Sequence, residues 1–344
     1  MANDFLRECL SRLLRREDLT RDESSRLLDG LLADDATDAQ IAAVLIALAA
    51  KSETVEELAG MAAALRARAV RVNSNHQCFI DTAGTGSSAA KTFNISTAAA
   101  FVIAGAGLPV AKHGNRAASS RSGSADVLTA LGVNVSVAPQ LSEECLTDIG
   151  ICFMFAPLYH GATARVASVR RELSVHTTFN LLGPLSNPAR APRQIIGVWR
   201  KDLVERLAHV LAALGTAKAW VCHGEDGLDE ITVDGRTFVA EASADGVKSF
   251  EIKPEDFGLL RGSLDHLRGG DAQANAVIIR AVLSGERRDE ARALVVLNAA
   301  AALVVGGLCD ELTTAARLAE ETIDNGRAAA KLEQLVSATN QAKS

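Results

Sequence analysis

Aromatic side chains make up only 4% of the 344 residues. A surface so poor in rings offers little for stacking single-stranded bases. Basic charge is not in surplus either: 36 Lys and Arg stand against 42 Asp and Glu, a net charge of −6. That is the wrong sign for displacing counterions from a nucleic-acid backbone. The six cysteines (Cys9, Cys78, Cys145, Cys152, Cys222 and Cys309) contain no C-x-x-C pair and no zinc-type spacing. They read as scattered thiols in a reducing compartment. The stretch Met1 to Arg16 is interrupted by Asp4, Arg7 and Glu8 and lacks the apolar run of a secretory signal. The longest uncharged stretch, Thr92 to Ala111, reaches membrane-spanning length. It holds Asn94, Ser96, Thr97, Gly105, Gly107 and Pro109, so a buried helix entering a strand explains it better. A cytoplasmic protein with no nucleic-acid or membrane partner is expected.

What is present is apolar residues at 48% and charged residues at 23%, a composition that supports a sizeable folded core. At about 150 residues per domain the length suggests roughly two domains. The first 70 residues pattern as helices. Leu6, Leu10, Leu13 and Leu14 keep helical spacing, and Thr20-x-x-Glu23, Thr37-x-x-Gln40 and Thr54-x-x-Glu57 each fit a capping box ahead of an apolar stripe. Beyond about Asn73, β-prone runs alternate with helical ones. The runs are Phe79–Ile80, Pro109–Ala111, Val133–Val135, Ile151–Phe155, Ile195–Trp199 and Ala219–Cys222. Helices are expected over Ser124–Leu131 and Leu203–Leu214, each closed by a glycine. The alternation predicts a mostly parallel sheet flanked by helices. Strand-like runs from Asp229 to Ile252 predict an antiparallel addition, and helices return from about Asn275 to Val336.

Four segments carry chemistry. Asp81-Thr-Ala-Gly84-Thr85-Gly86-Ser87-Ser88, then Thr92-Phe-Asn94-Ile95-Ser96-Thr97, lies between a strand and a helix. It suits an anion held by backbone N–H groups at a helix start, or else a tight turn with an N-cap. It is neither a Walker A loop nor a dinucleotide fingerprint. Lys112-His113-Gly114-Asn115-Arg116-Ala117-Ala118-Ser119-Ser120-Arg121-Ser122-Gly123-Ser124 masses basic, glycine and hydroxyl residues in 13 positions. That density suits multidentate phosphate binding more than a merely solvated loop. Asp226-Gly-Leu-Asp229-Glu230 is either an acidic surface turn or a Mg²⁺ site completed by phosphates and water. Finally come His160-Gly161-Ala162, Val169-Arg170-Arg171-Glu172-Leu173 and Phe179-Asn180-Leu-Leu-Gly183-Pro184-Leu-Ser-Asn187-Pro188. An arginine there either neutralises a substrate carboxylate or lies on a solvated helix face. No spacing suggests a covalent nucleophile.

In this order and over nearly the whole chain, these words resemble the anthranilate phosphoribosyltransferases. Those enzymes join anthranilate to phosphoribosyl diphosphate (PRPP) in tryptophan biosynthesis and are related to pyrimidine nucleoside phosphorylases. The resemblance implies a small all-helical N-terminal domain (1–72, joined by helices from about 162–185) packed on a large α/β domain (73–344). It also implies a homodimer and two Mg²⁺ ions riding on PRPP. Carried over by position, Gly84, Ser87, Ser88, Thr92, Asn94, Ile95, Ser96, Thr97, Lys112, His113, Gly114, Asn115, Arg116, Ala117, Ala118, Ser119, Ser120 and Ser124 would hold PRPP. Ser96, Asp229 and Glu230 would hold metal. Gly84, Asn115, Arg170, His113, His160 and Pro184 would contact or shape the site of anthranilate.

The chain departs from that family's pattern in three places. G-T-G-G-D/S-G reads Gly84-Thr85-Gly86-Ser87-Ser88-Ala89, H-P-A reads His160-Gly161-Ala162, and G-x-R-T reads Ser174-Val175-His176-Thr177. Two other readings therefore stay open: a pyrimidine nucleoside phosphorylase of the same fold, and a catalytically silent PRPP- or nucleotide-binding relative.

Overall fold

The computed structural model describes residues 3–86, 90, 92–117, 121–265 and 267–341. Four helices open the chain: α1 (Asp4–Leu14), α2 (Arg21–Leu32), α3 (Asp38–Lys51) and α4 (Val55–Arg68). The last three begin with the expected capping boxes. Thr20, Thr37 and Thr54 accept the N–H groups of Glu23, Gln40 and Glu57, whose side chains return to the threonine N–H. Each box satisfies two donors that a helix start otherwise leaves unpaired. The stripes behind them, including Leu27, Leu31, Ile41, Leu45, Leu48, Leu58 and Met61, are fully buried.

The α/β part follows as β1 (Ile80–Gly84), α5 (Ile95–Ala106), β2 (Val110–Gly114), α6 (Ser124–Ala130), α7 (Pro139–Asp148), β3 (Ile151–Phe155), α8 (Ala156–Tyr159), α9 (Ala164–Leu173), α10 (Thr178–Leu185), β4 (Arg193–Gly197), α11 (Asp202–Ala213) and β5 (Lys218–Gly224). Then come β6 (Thr237–Ser243), β7 (Gly246–Ile252), α12 (Ala272–Leu283), α13 (Glu290–Val305), α14 (Leu312–Asp324) and α15 (Arg327–Asn340). The strands form a single sheet in the order β3-β2-β1-β4-β5-β6-β7. The first five run parallel, while β6 and β7 add antiparallel.

Val133–Val135, expected as a strand, is irregular chain between α6 and α7. Both valines are buried, so the alternation reports packing and not pairing. The N–H groups of Asn134 and Ser136 go to side chains, Thr339 Oγ1 at 3.2 Å and Asn134 Oδ1 at 3.1 Å. The uncharged Thr92–Ala111 stretch is the largely buried α5 turning into β2. Among the described residues no helix is long and apolar enough to cross a membrane.

One face of the sheet packs on α5 and the C-terminal helices, joining Ile80, Phe101, Val110, Ile151, Leu297 and Leu332 in one cluster. The other cluster runs from the N-terminal helices through Val166, Val169, Phe179 and Leu182 of α9 and α10 to Ile196 and Val221. Strand order reverses between β1 and β4, since β2 and β3 extend to one side of β1 and β4 lies on the other. Such a switch point leaves a crevice at the carboxyl ends of the strands.

Candidate active site

Gly84 and Gly197 end β1 and β4 side by side, and the 225–231 turn packs directly over them. A Cβ on Gly197 would lie 1.6 Å from the Asp229 carbonyl oxygen, and one on Gly84 would lie 3.5 Å from Asp229 Oδ2. Only glycine at 197 admits that approach. Asn298 of α13 clamps the turn from behind: its Oδ1 accepts the Ile231 N–H at 3.0 Å, and its Nδ2 donates to the Ile231 carbonyl at 3.0 Å. Held there, Glu230 Oε1 accepts the Ser96 N–H at 3.3 Å, in the first turn of α5. The helix dipole favours a carboxylate at this end. Burial first, and Asp229 second, push the Glu230 carboxyl well up, with Lys112 opposing.

The strand β2 brings Lys112 into the same cradle. Its ammonium is buried and donates to the Thr82 carbonyl, to Thr82 Oγ1 at 3.3 Å and to Ser96 Oγ at 3.5 Å. Beneath it, Asp81 is fully buried. Its Oδ1 accepts the His113 N–H at 3.1 Å and its Oδ2 accepts Asn187 Nδ2 at 2.7 Å. Burial raises the Asp81 carboxyl to about 6, with Lys112 and these donors opposing. The loop after β2 is held in place by Asp126, whose Oδ2 accepts the N–H groups of Ala117 at 2.9 Å and Gly123 at 3.0 Å. Ser124 Oγ donates to the Asn115 carbonyl at 3.4 Å. A Cβ on Gly114 would lie 2.1 Å from that same Oγ and 2.9 Å from the Phe153 ring, so any larger residue would have to displace both side chains.

Not every residue of the two phosphate-type segments points a polar group into the crevice. Arg116 pairs with Asp126 at 3.0 Å. Asn94 spends its amide as a brace, donating to the Ser122 carbonyl and accepting from Asn275 Nδ2, both at 3.1 Å. Ile95 and Thr97 are buried, and the Thr97 hydroxyl has no partner among the described residues. Thr92 makes an isolated antiparallel bridge to Arg268. The expected contacts at Ser87, Ser88, Ala118, Ser119 and Ser120, and the substituted Ala89, lie outside the described residues.

The helices α9 and α10 form the far wall. His113 and His160 are both buried, with ring centroids 5.1 Å apart. Burial holds their imidazoles neutral, near 3 and 4. His113 Nε2 and both His160 nitrogens have no hydrogen-bond partner among the described residues. Arg170 is half-buried rather than solvated. Its Nη2 donates to Asn180 Oδ1 at 3.2 Å, its guanidinium stands 5.5 Å from the Phe179 ring centroid, and its Nε lacks a partner. The Pro184 carbonyl accepts Gln194 Nε2 from the middle of β4 at 3.1 Å. At the departures, Ser174 takes a left-handed backbone with φ 51°, and His176 stacks on Trp199 at 4.4 Å.

Asp81, Asn187, Asn275 and Asn298 position the site, and none stood among the expected site residues. Asp81 and Asn187 did lie inside the quoted words. Asn275 and Asn298 sit in apolar helices, where a lone asparagine is the signal that could have marked them. Among the described residues no group of three His, Cys, Asp or Glu side chains could hold a metal. Asp229, Glu230 and the Ser96 hydroxyl make a partial oxygen set, the kind that suits Mg²⁺ completed by phosphates and water.

A mostly parallel sheet whose switch point gathers carboxylates and a buried lysine is an arrangement suited to a phosphorylated substrate. "Glycosyl transferase family, helical bundle domain" matches residues 7–69, and "Glycosyl transferase family, a/b domain" matches residues 76–329. A relative from Anaeromyxobacter dehalogenans, named anthranilate phosphoribosyltransferase, is 52% identical, covering 97% of this chain and 99% of its own. The anthranilate phosphoribosyltransferase of Thermus thermophilus superposes with a TM-score of 0.91 at 36% identity, over 97% of this chain and 99% of its own. That of Saccharomyces cerevisiae, solved with PRPP and Mg, gives 0.90 at 27% identity over 98% of both chains. The chain belongs to the anthranilate phosphoribosyltransferase family.

Proposed function

We propose that the chain transfers the phosphoribosyl group of PRPP to the amine of anthranilate, giving N-(5-phosphoribosyl)anthranilate and diphosphate in tryptophan biosynthesis. The observation that carries this reading is the presence of two unlike sets of groups, one at the strand ends and one on α9 and α10. One set gathers Lys112, the acidic pair and the α5 N-terminus. The other presents a half-buried arginine, Arg170, with an unpartnered Nε. The first suits a diphosphate with its cations, and the second suits a benzoate-type carboxylate. The acceptor side separates this from a pyrimidine nucleoside phosphorylase, because an uncompensated guanidinium suits a carboxylate better than a neutral base. The names of the similar proteins favour the same choice.

In the reaction the amine nitrogen bonds to ribose C1 as the C1–oxygen bond to diphosphate breaks, and the nitrogen gives up a proton. Lys112 offsets the charge of the departing diphosphate. Arg170 and Asn115 hold the acceptor in line with C1, with Gly84, His113, His160 and Pro184 shaping its pocket. Ser96, Asp229 and Glu230 would hold Mg²⁺, which when bound offsets the charge of the diphosphate. Two ions with PRPP, and a homodimer in the cytoplasm, complete the proposal. The dimer is supported by exposed Leu14 and Ile46 on the neighbouring α1 and α3.

The test follows loss of anthranilate fluorescence with PRPP and Mg²⁺, and again with EDTA. Consumption that requires all three components is expected. PRPP binding without consumption would favour the silent relative, and consumption undiminished by EDTA would sink the metal assignment.

A further inference from the structure

Arg170 is a half-buried cation with no anion beside it among the described residues. Burial lowers its pKa and no neighbouring carboxylate offsets that, and its Nε has no partner among the described residues. What holds the guanidinium is Asn180, whose Oδ1 accepts Arg170 Nη2 at 3.2 Å and the Thr177 N–H at 3.0 Å. A backbone N–H can only donate, so the amide oxygen and not its NH₂ must face it. Phe179 supports the cation from its ring face at 5.5 Å.

We infer that Asn180 is a positioning residue for the acceptor carboxylate, a neutral tether that orients Arg170 without neutralising it. The inference rests on the reading of Arg170 as the acceptor's carboxylate contact. Its physical content is a conflict between fold and function at one position. Asn180 lies in the first turn of α10, three residues after the N-cap Thr177. An aspartate there would accept the same two hydrogen bonds and complement the helix dipole, so stability alone would welcome it. It would also give Arg170 an internal ion pair and set a negative charge beside the incoming carboxylate. The amide keeps the geometry and leaves the charge unspent.

Asn180→Asp should therefore keep or raise Tm while raising the KM for anthranilate by about tenfold or more, the size of a lost charge-assisted hydrogen bond. The KM for PRPP should stay within about twofold of the parent by the same argument. Asn180→Ala, which frees Arg170 without pairing it, should raise the anthranilate KM by less. In an Arg170→Ala background neither substitution should raise it further. A parental anthranilate KM in Asn180→Asp or in Asn180→Ala, while Arg170→Ala raises it, overturns the tether. If Arg170→Ala leaves the anthranilate KM unchanged, the reading of Arg170 itself fails instead.

Discussion

At the strand ends, Asp81, Lys112 and Glu230 are tied to one another or to backbone, and each charge there faces a group of opposite sign or a hydrogen-bond partner. Around α9 and α10, Arg170 Nε, Thr177 Oγ1, both His160 nitrogens and, from the end of β2, His113 Nε2 are buried without partners among the described residues. The first region is stiff because β-strands and α5 supply its backbone. The second hangs on two short helices that pack into the N-terminal bundle. An unsatisfied buried polar group costs about 1–3 kcal/mol, so open polarity around these helices is a cost that the fold itself does not recover. On the proposed reading, the phosphate end is prepared before substrate arrives and the acceptor wall is completed by it.

The strongest way to break this contrast is at the acidic pair. Asp229→Asn with Glu230→Gln should lower turnover by about a thousandfold or more, equivalent to about 4 kcal/mol of transition-state stabilisation. Burial and mutual repulsion already work against ionised Glu230, so Tm should not fall. Steady-state kinetics beside a melting curve check both halves. A retained rate would mean that the pair is only a surface turn.

The next effect is smaller and lies on the acceptor wall. His113 and His160 sit near 3 and 4 in the folded chain against an ordinary value of 6.5. Below about pH 6.5 the unfolded chain takes up protons that the folded chain refuses, so stability is full above that pH and is lost on acidification. Asp81, raised to about 6, acts in the opposite sense between 3.8 and 6, so the informative quantity is a difference. His160→Asn should lose stability less steeply than the parent between pH 6.5 and pH 4, by up to about 1.4 kcal/mol per pH unit. Parallel pH–Tm curves would show that His160 charges as easily in the folded chain as in the unfolded one.

The smallest effect sharpens the contrast at the hinge between α9 and α10. Ser174 caps α9 with φ 51° and ψ 28°, a conformation that costs a side-chain-bearing residue about 1–2 kcal/mol. Glycine removes that cost and returns about 0.5–1 kcal/mol through unfolded-state entropy. Ser174→Gly should therefore raise Tm by about 1–2 °C. No rise in the melting curve would mean that the Ser174 Oγ bond to the Arg171 carbonyl at 2.9 Å offsets the strain.

The bundle was legible because its information is local. A threonine three residues before a Glu or Gln, followed by a 3.6-residue stripe, specifies a helix start wherever it sits, and three such starts appeared where expected. Most strands were legible for the same reason. Val133–Val135 was not, because alternate burial arises equally from pairing or from packing on a helix, here with Asn134 bonded to Thr339 of α15.

The candidate site divides along the same line. Its residue types and their clustering in the chain were set by the sequence alone: hydroxyls and glycines after β1 and β2, adjacent carboxylates after β5, arginines on α9. Which of them face the crevice was a tertiary matter. Arg116 turns to Asp126, Asn94 becomes a brace to α12, and Thr97 is buried. Asn298 and Asp81, neither of them expected as site residues, hold the acidic turn and the start of the β2 loop. The physical reason is range. Capping, periodicity and turn chemistry act within about four residues. The partner that takes a buried donor or opposes a buried charge comes from wherever the fold brings chain together, as Glu230 to Ser96 and Asn187 to Asp81 show.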